Sequence, residues 1–207
     1  MQKLNQQPDI CPYFSPEFKV IPQYIIMKEG ECMELNNRTT SFFIFILSGE
    51  ITISFEQYTN RSVLENEMFF LPKNNCFKWK AVTQTVLILT GYNATIFPCT
   101  SVRARILYKI KAGVKFDCRG VVMKDEVKVV VNQMKHYLDS GINCHHMYIL
   151  KHKELYLMFK HFYTYEEIIQ IFYLILGSNP LFNERVLDNY LKVKTVKELA
   201  GLLGYGI

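Results

Sequence analysis

The side chains best equipped for chemistry in this 207-residue sequence cluster in its second half. Five histidines, His136, His145, His146, His152 and His161, lie there beside Cys144. Imidazole nitrogens near a thiol are natural transition-metal ligands. Their spacing argues against that use. A zinc pair on a helix needs two imidazoles one turn apart, as in H-x-x-x-H, and no pair here has that separation. The expectation is histidines that face solvent or cap a core. No motif supports a cysteine–histidine nucleophile, and no glycine-rich phosphate loop is present. No catalytic residue, metal ligand or cofactor is therefore assigned, and the chain is read as something other than an enzyme.

A second cluster is Lys78-Trp79-Lys80, where cations flank a stacking ring in the manner of a single-strand nucleic-acid patch. Strict alternation through Cys76, Phe77, Lys78, Trp79, Lys80 and Ala81 explains it better as a half-buried strand with its lysines outward. Charge agrees. The net charge is +5, with 11 basic against 9 acidic residues in 1–110 and 13 against 10 in 111–207. Neither half is basic enough to hold nucleic acid through its phosphates alone.

The last thirteen residues, T-V-K-E-L-A-G-L-L-G-Y-G-I, carry a more specific pattern. Thr195 and Glu198 form a capping box, in which the hydroxyl accepts from the amide at Glu198 and the glutamate reaches back. Val196, Leu199, Ala200 and Leu203 then make one apolar stripe, and Gly204 stands where a helix stops in the left-handed conformation. A short capped helix, a small residue on its packing face and a glycine turn are the parts of the first half of a helix-turn-helix.

The elements before it fall into two textures. Residues 18–89 read as short strands and turns: Tyr24 to Ile26, Phe42 to Leu47 buried on both faces, Ile51 to Phe55 alternating, a turn at Tyr58-Thr59-Asn60-Arg61, Glu67 to Leu71, Cys76 to Ala81, and Val86 to Leu89. Such spacing without intervening helices implies a sandwich or small barrel. Alternation makes Phe43, Phe45, Phe55, Phe77 and Trp79 candidates either to line a ligand pocket or simply to fill the barrel. From Lys124 the period is helical. One stripe is Val127, Val130, Val131, Met134 and Leu138. A second helix, from about Cys144 to Phe162, points Met147, Leu150, Leu155, Met158 and Phe162 inward. A third, Thr164 to Leu176, opens on another capping box and is apolar nearly all round. Ile168, Ile171, Phe172 and Ile175 are its candidate dimer residues, since a helix without a polar face must be buried on every side. A fourth helix begins at Pro180 and carries Phe182, Val186, Leu187 and Tyr190.

Strands, then helices, then E-L-A-x-x-L-G-Y resembles a bacterial transcription regulator of the AraC type. The match runs from Lys197 to Tyr205, and Gly206 stands where a serine usually caps the recognition helix. The resemblance implies that Thr195, Glu198, Leu199, Ala200, Gly204 and Tyr205 belong to the first of two helix-turn-helix units, and that residues 1–207 stop inside that domain. It implies a cupin barrel as sensor, carried by Phe45 to Ile51 and Glu67 to Pro72. Metal-binding cupins place histidines and a glutamate before the glycine matching Gly49 and a histidine after the proline matching Pro72. Here those positions hold Asn36, Asn37, Arg38, Phe42 and Phe77.

The expected fold class is therefore α+β, an N-terminal cupin-like jelly-roll barrel (1–100), a helical linker and dimerisation region (101–178) and the start of a DNA-binding domain (179–207). The expected partners are DNA, for the full-length protein only, a second copy of the chain, and a small-molecule effector or partner. The rival is a stand-alone non-metal cupin that binds or turns over a small molecule. Six cysteines without a C-x-x-C pair, and an N-terminus lacking a signal peptide's apolar core, place the protein in a reducing cytoplasm. No apolar run is long enough to span a membrane.

Overall fold

Alternation along the strands becomes two facing sheets. A computed structural model describes residues 21–37, 40–73, 75–92, 117–142, 144–176 and 189–202, with 108, 109 and 113. Eight strands form the barrel: β1 (Gln23–Met27), β2 (Cys32–Asn37), β3 (Ser41–Ser48), β4 (Glu50–Phe55), β5 (Tyr58–Leu64), β6 (Glu67–Leu71), β7 (Asn75–Ala81) and β8 (Thr85–Tyr92). A short β9 (Val121–Val122) joins the edge of β6. One sheet has the order β1-β8-β3-β6-β9 and the other β2-β7-β4-β5. Every pairing is antiparallel. Orders 1-8-3-6 and 2-7-4-5 are those of a jelly roll, in which the chain repeatedly crosses between sheets. The architecture is α+β, a cupin-like barrel followed by helices.

The core explains the crossings. Ile51, Ile53 and Phe55 of β4 and Phe77, Trp79 and Ala81 of β7 are buried, while Lys78 and Lys80 stay exposed on the outer face. The opposite wall supplies Ile44, in register with Phe69, and Phe69 meets Phe55 across the sandwich with ring centroids 6.2 Å apart. Burying each such side chain contributes about 1.5–3 kcal/mol. Gly49 turns β3 into β4 at φ +85°, and a Cβ there would lie 2.4 Å from the Gln84 carbonyl oxygen. Only glycine fits.

Two strand assignments change. The chain turns at Glu56-Gln57, with Glu56 at φ +48°, and Tyr58 to Arg61 belong to β5 rather than to a turn. This strand is the polar edge of its sheet and buries only Val63, so it lacks the alternation that marks the others. β2 is the second, a strand in which Met33 and Leu35 are half-buried and Cys32, Glu34 and Asn36 are exposed, too weak a pattern to read.

Helices cover the outer face of the first sheet. α1 (Asp125–Asp139) buries Val127, Val130, Val131 and Met134, as its stripe predicts. α2 (His145–Phe162) buries Leu155 and packs Met158 on the core as expected, but its inner face is centred on His145, Tyr148, His152 and Phe159, whereas Leu150 is 63% exposed and Phe162 45%. Phe159 packs on Phe43 of β3, 5.8 Å between centroids. α3 (Tyr165–Leu176) starts on the predicted cap: Thr164 N donates to Glu167 Oε2 at 2.8 Å, and Glu167 N to Thr164 Oγ1 at 3.3 Å.

The burial expected of α3 from a second subunit is supplied by the chain itself. Ile168, Ile171 and Phe172 are 4%, 3% and 1% exposed within one copy, so they do not offer a dimer surface. The Ile175 side chain lies outside what is described. Among the described residues a 3₁₀ turn (Tyr190–Lys192) and α4 (Val196–Leu202) follow. Of the helix expected from Pro180, Phe182, Val186 and Leu187 fall outside the described residues, as do both domain boundaries, 100/101 and 178/179, while Tyr190 lies in the 3₁₀ turn and is 49% exposed.

Tyr163, between α2 and α3, ties the layers together. Its hydroxyl accepts from Lys124 N at 2.8 Å and donates to the Val122 carbonyl at 3.0 Å. Lys124 also pairs with Glu167 at 3.1 Å, joining the strap after β9 to the α3 cap.

Candidate functional site

The five aromatic residues read as a pocket lining divide between two places. Phe55, Phe77 and Trp79 lie inside the barrel; Phe55 and Phe77 sit 4.7 Å apart, centroid to centroid. Phe43 and Phe45 point the other way, toward the helices. Phe43 contacts Phe159 of α2 and Phe172 of α3, and is stacked on Phe45 at 5.8 Å. The continuous apolar run of β3 is buried on both faces, so alternation showed which residues share a side and not which side faces inward. All five are 3% exposed or less. They fill space.

One buried polar atom stands out in the barrel. Trp79 Nε1 has no hydrogen-bond partner among the described residues. An unmade buried bond of this kind costs about 1–3 kcal/mol. A small crevice lies elsewhere, between the first sheet and α3, lined by Phe43, Met68, Phe70, Val121, Ile171 and Leu174. The polar groups at its wall are already engaged: Arg119 pairs with Asp117 at 3.2 Å, and Gln170 Oε1 accepts from Asp117 N at 3.1 Å.

The histidines that spacing set aside contain a buried pair. His145 and His152 are seven residues apart, two turns, and so share the inner face of α2. His152 is 4% exposed, its Nε2 lies 2.8 Å from Thr90 Oγ1 on β8, and its Nδ1 has no partner among the described residues. Burial, with neighbouring His145 second, pushes its pKa down to about 4. His145 is shifted down by burial and then by His146. Neutral imidazoles here act as packing and hydrogen-bonding groups. A search for H-x-x-x-H alone passes over the i, i+7 relation that marks them. The described residues contain no group of three His, Cys, Asp or Glu arranged to hold a metal ion. Of the positions matching cupin ligands, Phe77 lies in the core and Asn36 is exposed. Cys118, at φ +49°, is fully buried, and burial pushes its thiol up to about 12, the reverse of what a nucleophile needs.

The C-terminal cap forms. Glu198 N donates to Thr195 Oγ1 at 3.1 Å, and Glu198 Oε2 accepts from the amide of Lys194, one residue earlier than expected, at 2.9 Å. Leu199 and Ala200 are half-buried, Val196 is 83% exposed and Leu202 51%. Leu203, Gly204 and Tyr205 lie outside the described residues.

No family model matches the chain, and no curated protein does. Among solved structures, it is similar to a Streptococcus pyogenes protein of unknown function, with 19% identity and a TM-score of 0.32 over 35% of this chain and 62% of that one. It is similar to the cupin domain of Schizosaccharomyces pombe Cnp3, with 18% identity and a TM-score of 0.33 over 36% of this chain and 53% of that one. A cupin superfamily protein from Desulfitobacterium hafniense gives 17% identity and a TM-score of 0.33, over 36% and 68%. The chain thus spans less than two thirds of the first two. The jelly-roll assignment rests on strand order, and the described helices include none long and apolar enough to cross a membrane.

Proposed function

We propose that this chain is the regulatory portion of a cytoplasmic DNA-binding transcription regulator. In this reading the barrel is a scaffold, the helical layer pairs two copies, and α4 opens a helix-turn-helix. The observation that carries it is the capped α4. Its Thr195–Glu198 cap fixes where the helix begins, and Val196, at the head of the stripe that Leu199 and Ala200 continue, is 83% exposed. An exposed apolar stripe on a capped helix is what a first helix offers to a recognition helix. The filled barrel core favours an effector, whether small molecule or partner protein, that acts on the outer surfaces. Its binding would shift the relative placement of two DNA-binding domains and so permit or prevent engagement of paired half-sites.

The test is chromatin immunoprecipitation of the protein in its own cell. Enrichment at a small number of discrete promoters is expected, and uniform background would overturn the reading. A second reading, a stand-alone cupin that binds a small molecule, is favoured by one observation, the unmet Trp79 N–H inside the barrel. A ligand acceptor there would shift indole fluorescence on binding, and a metabolite producing that shift would move the assignment to it.

A further inference from the structure

α2 carries an uncovered apolar stripe. Leu150 and Leu157, two turns apart on one line of the helix, are 63% and 48% exposed. Val129 of α1, 56% exposed, lies one turn before Gln133, which contacts Lys151 of α2 and brings the two helices side by side. The leucine line is flanked by opposite charges. Lys153 is on one side, and makes no ion pair among the described residues. Glu154 is on the other, 39% exposed and bonded to Lys151 at 2.7 Å.

This charge pattern distinguishes the ways two copies can meet. An antiparallel pair about a two-fold axis sets Lys153 against Lys153 and Glu154 against Glu154. A parallel pair sets each Lys153 flank beside the opposite helix's Glu154 flank at the same height, with leucine on leucine between them. The face is self-complementary in the parallel arrangement alone. Ile168, Ile171 and Phe172 of α3 are already covered within one copy, whereas Leu150 and Leu157 of α2 are not.

We infer that two copies of the chain meet through this stripe, α2 beside parallel α2, with Leu150 and Leu157 packing on their counterparts and Lys153 pairing with the partner's Glu154. The inference rests on the regulator reading for its purpose, since parallel helices carry both C-terminal ends of the dimer in the same direction. It does not rest on that reading for its test.

Sedimentation of residues 1–207 across the micromolar range is expected to show a reversible dimer. Leu150→Asp with Leu157→Asp should weaken the dimer at least about tenfold while leaving the circular dichroism spectrum and melting curve of the monomer intact. Lys153→Glu and Glu154→Lys should each weaken it, and combining them should restore it, since the exchange returns opposite charges to facing positions. A chain that stays monomeric, a dimer indifferent to both leucine changes, or a double exchange weaker than either single reversal each overturns the interface. None of these outcomes bears on promoter enrichment, so failure here and failure of the regulator reading remain separable.

Discussion

The Thr90 hydroxyl on β8 lies 2.8 Å from His152 Nε2 on α2, and this contact pins a helix to the sheet it covers. Buried and held neutral, His152 makes the helical layer sensitive to acid. Its pKa is pushed down from 6.5 to about 4, chiefly by burial. Below pH 6.5 the unfolded chain takes up a proton that the folded chain refuses until about pH 4. Stability from this group is therefore complete above pH 6.5 and declines as pH falls through that window, levelling at a loss on the order of 3 kcal/mol. Urea midpoints measured across the window should fall more steeply for the native chain than for His152→Gln. Parallel slopes would show that His152 is not the titrating group.

Phe77→Ala tests the filled barrel. Removing a fully buried ring that packs on Phe55 should cost about 3–5 kcal/mol. The cavity left behind should admit a small apolar solute such as benzene, detected as a rise in melting temperature absent from the native chain. A native chain that takes up benzene equally well would mean the barrel is already hollow.

Gly49→Ala should be severe for its size. It places a methyl group at φ +85° and against the Gln84 carbonyl, at a turn where Glu50 N donates to Thr83 and Thr85 hydroxyls. A loss of at least about 2 kcal/mol is expected in chemical denaturation. Gly30→Ala, with nothing within 4 Å of the added Cβ, isolates the conformational share of that loss.

Tyr163→Phe removes one oxygen that both accepts from Lys124 N and donates to the Val122 carbonyl. Leaving these part-buried backbone groups unmet should cost about 1–3 kcal/mol. Hydrogen exchange should rise at Lys124 and along β9 while the β3–β8 ladder stays protected. Uniform loss of protection would show that the junction does not act locally.

Much of the barrel was legible because β4 and β7 obey a period of two, and their buried and exposed residues fall where alternation puts them. β5 was not, since an edge strand that buries only Val63 carries no hydrophobic signal. The run Phe42 to Leu47 showed a strand buried on both sides, but which side belongs to the barrel and which to the helices is set by later elements, Phe159 and Phe172 among them. α2 misled for a related reason. Its inner face uses two histidines and a tyrosine, so an apolar count drew Leu150 and Phe162 inward and left His152 out. The cap at Thr195 could be read directly, because it depends on residues three apart and on nothing distant.

The regulator reading stands or falls on sequence-specific DNA engagement, and selection from random-sequence duplexes measures it most directly. The protein should enrich a recurring motif as paired half-sites separated by a whole number of helical turns, about 10.5 base pairs each. Uniform recovery of sequences with no recurring motif would contradict the account.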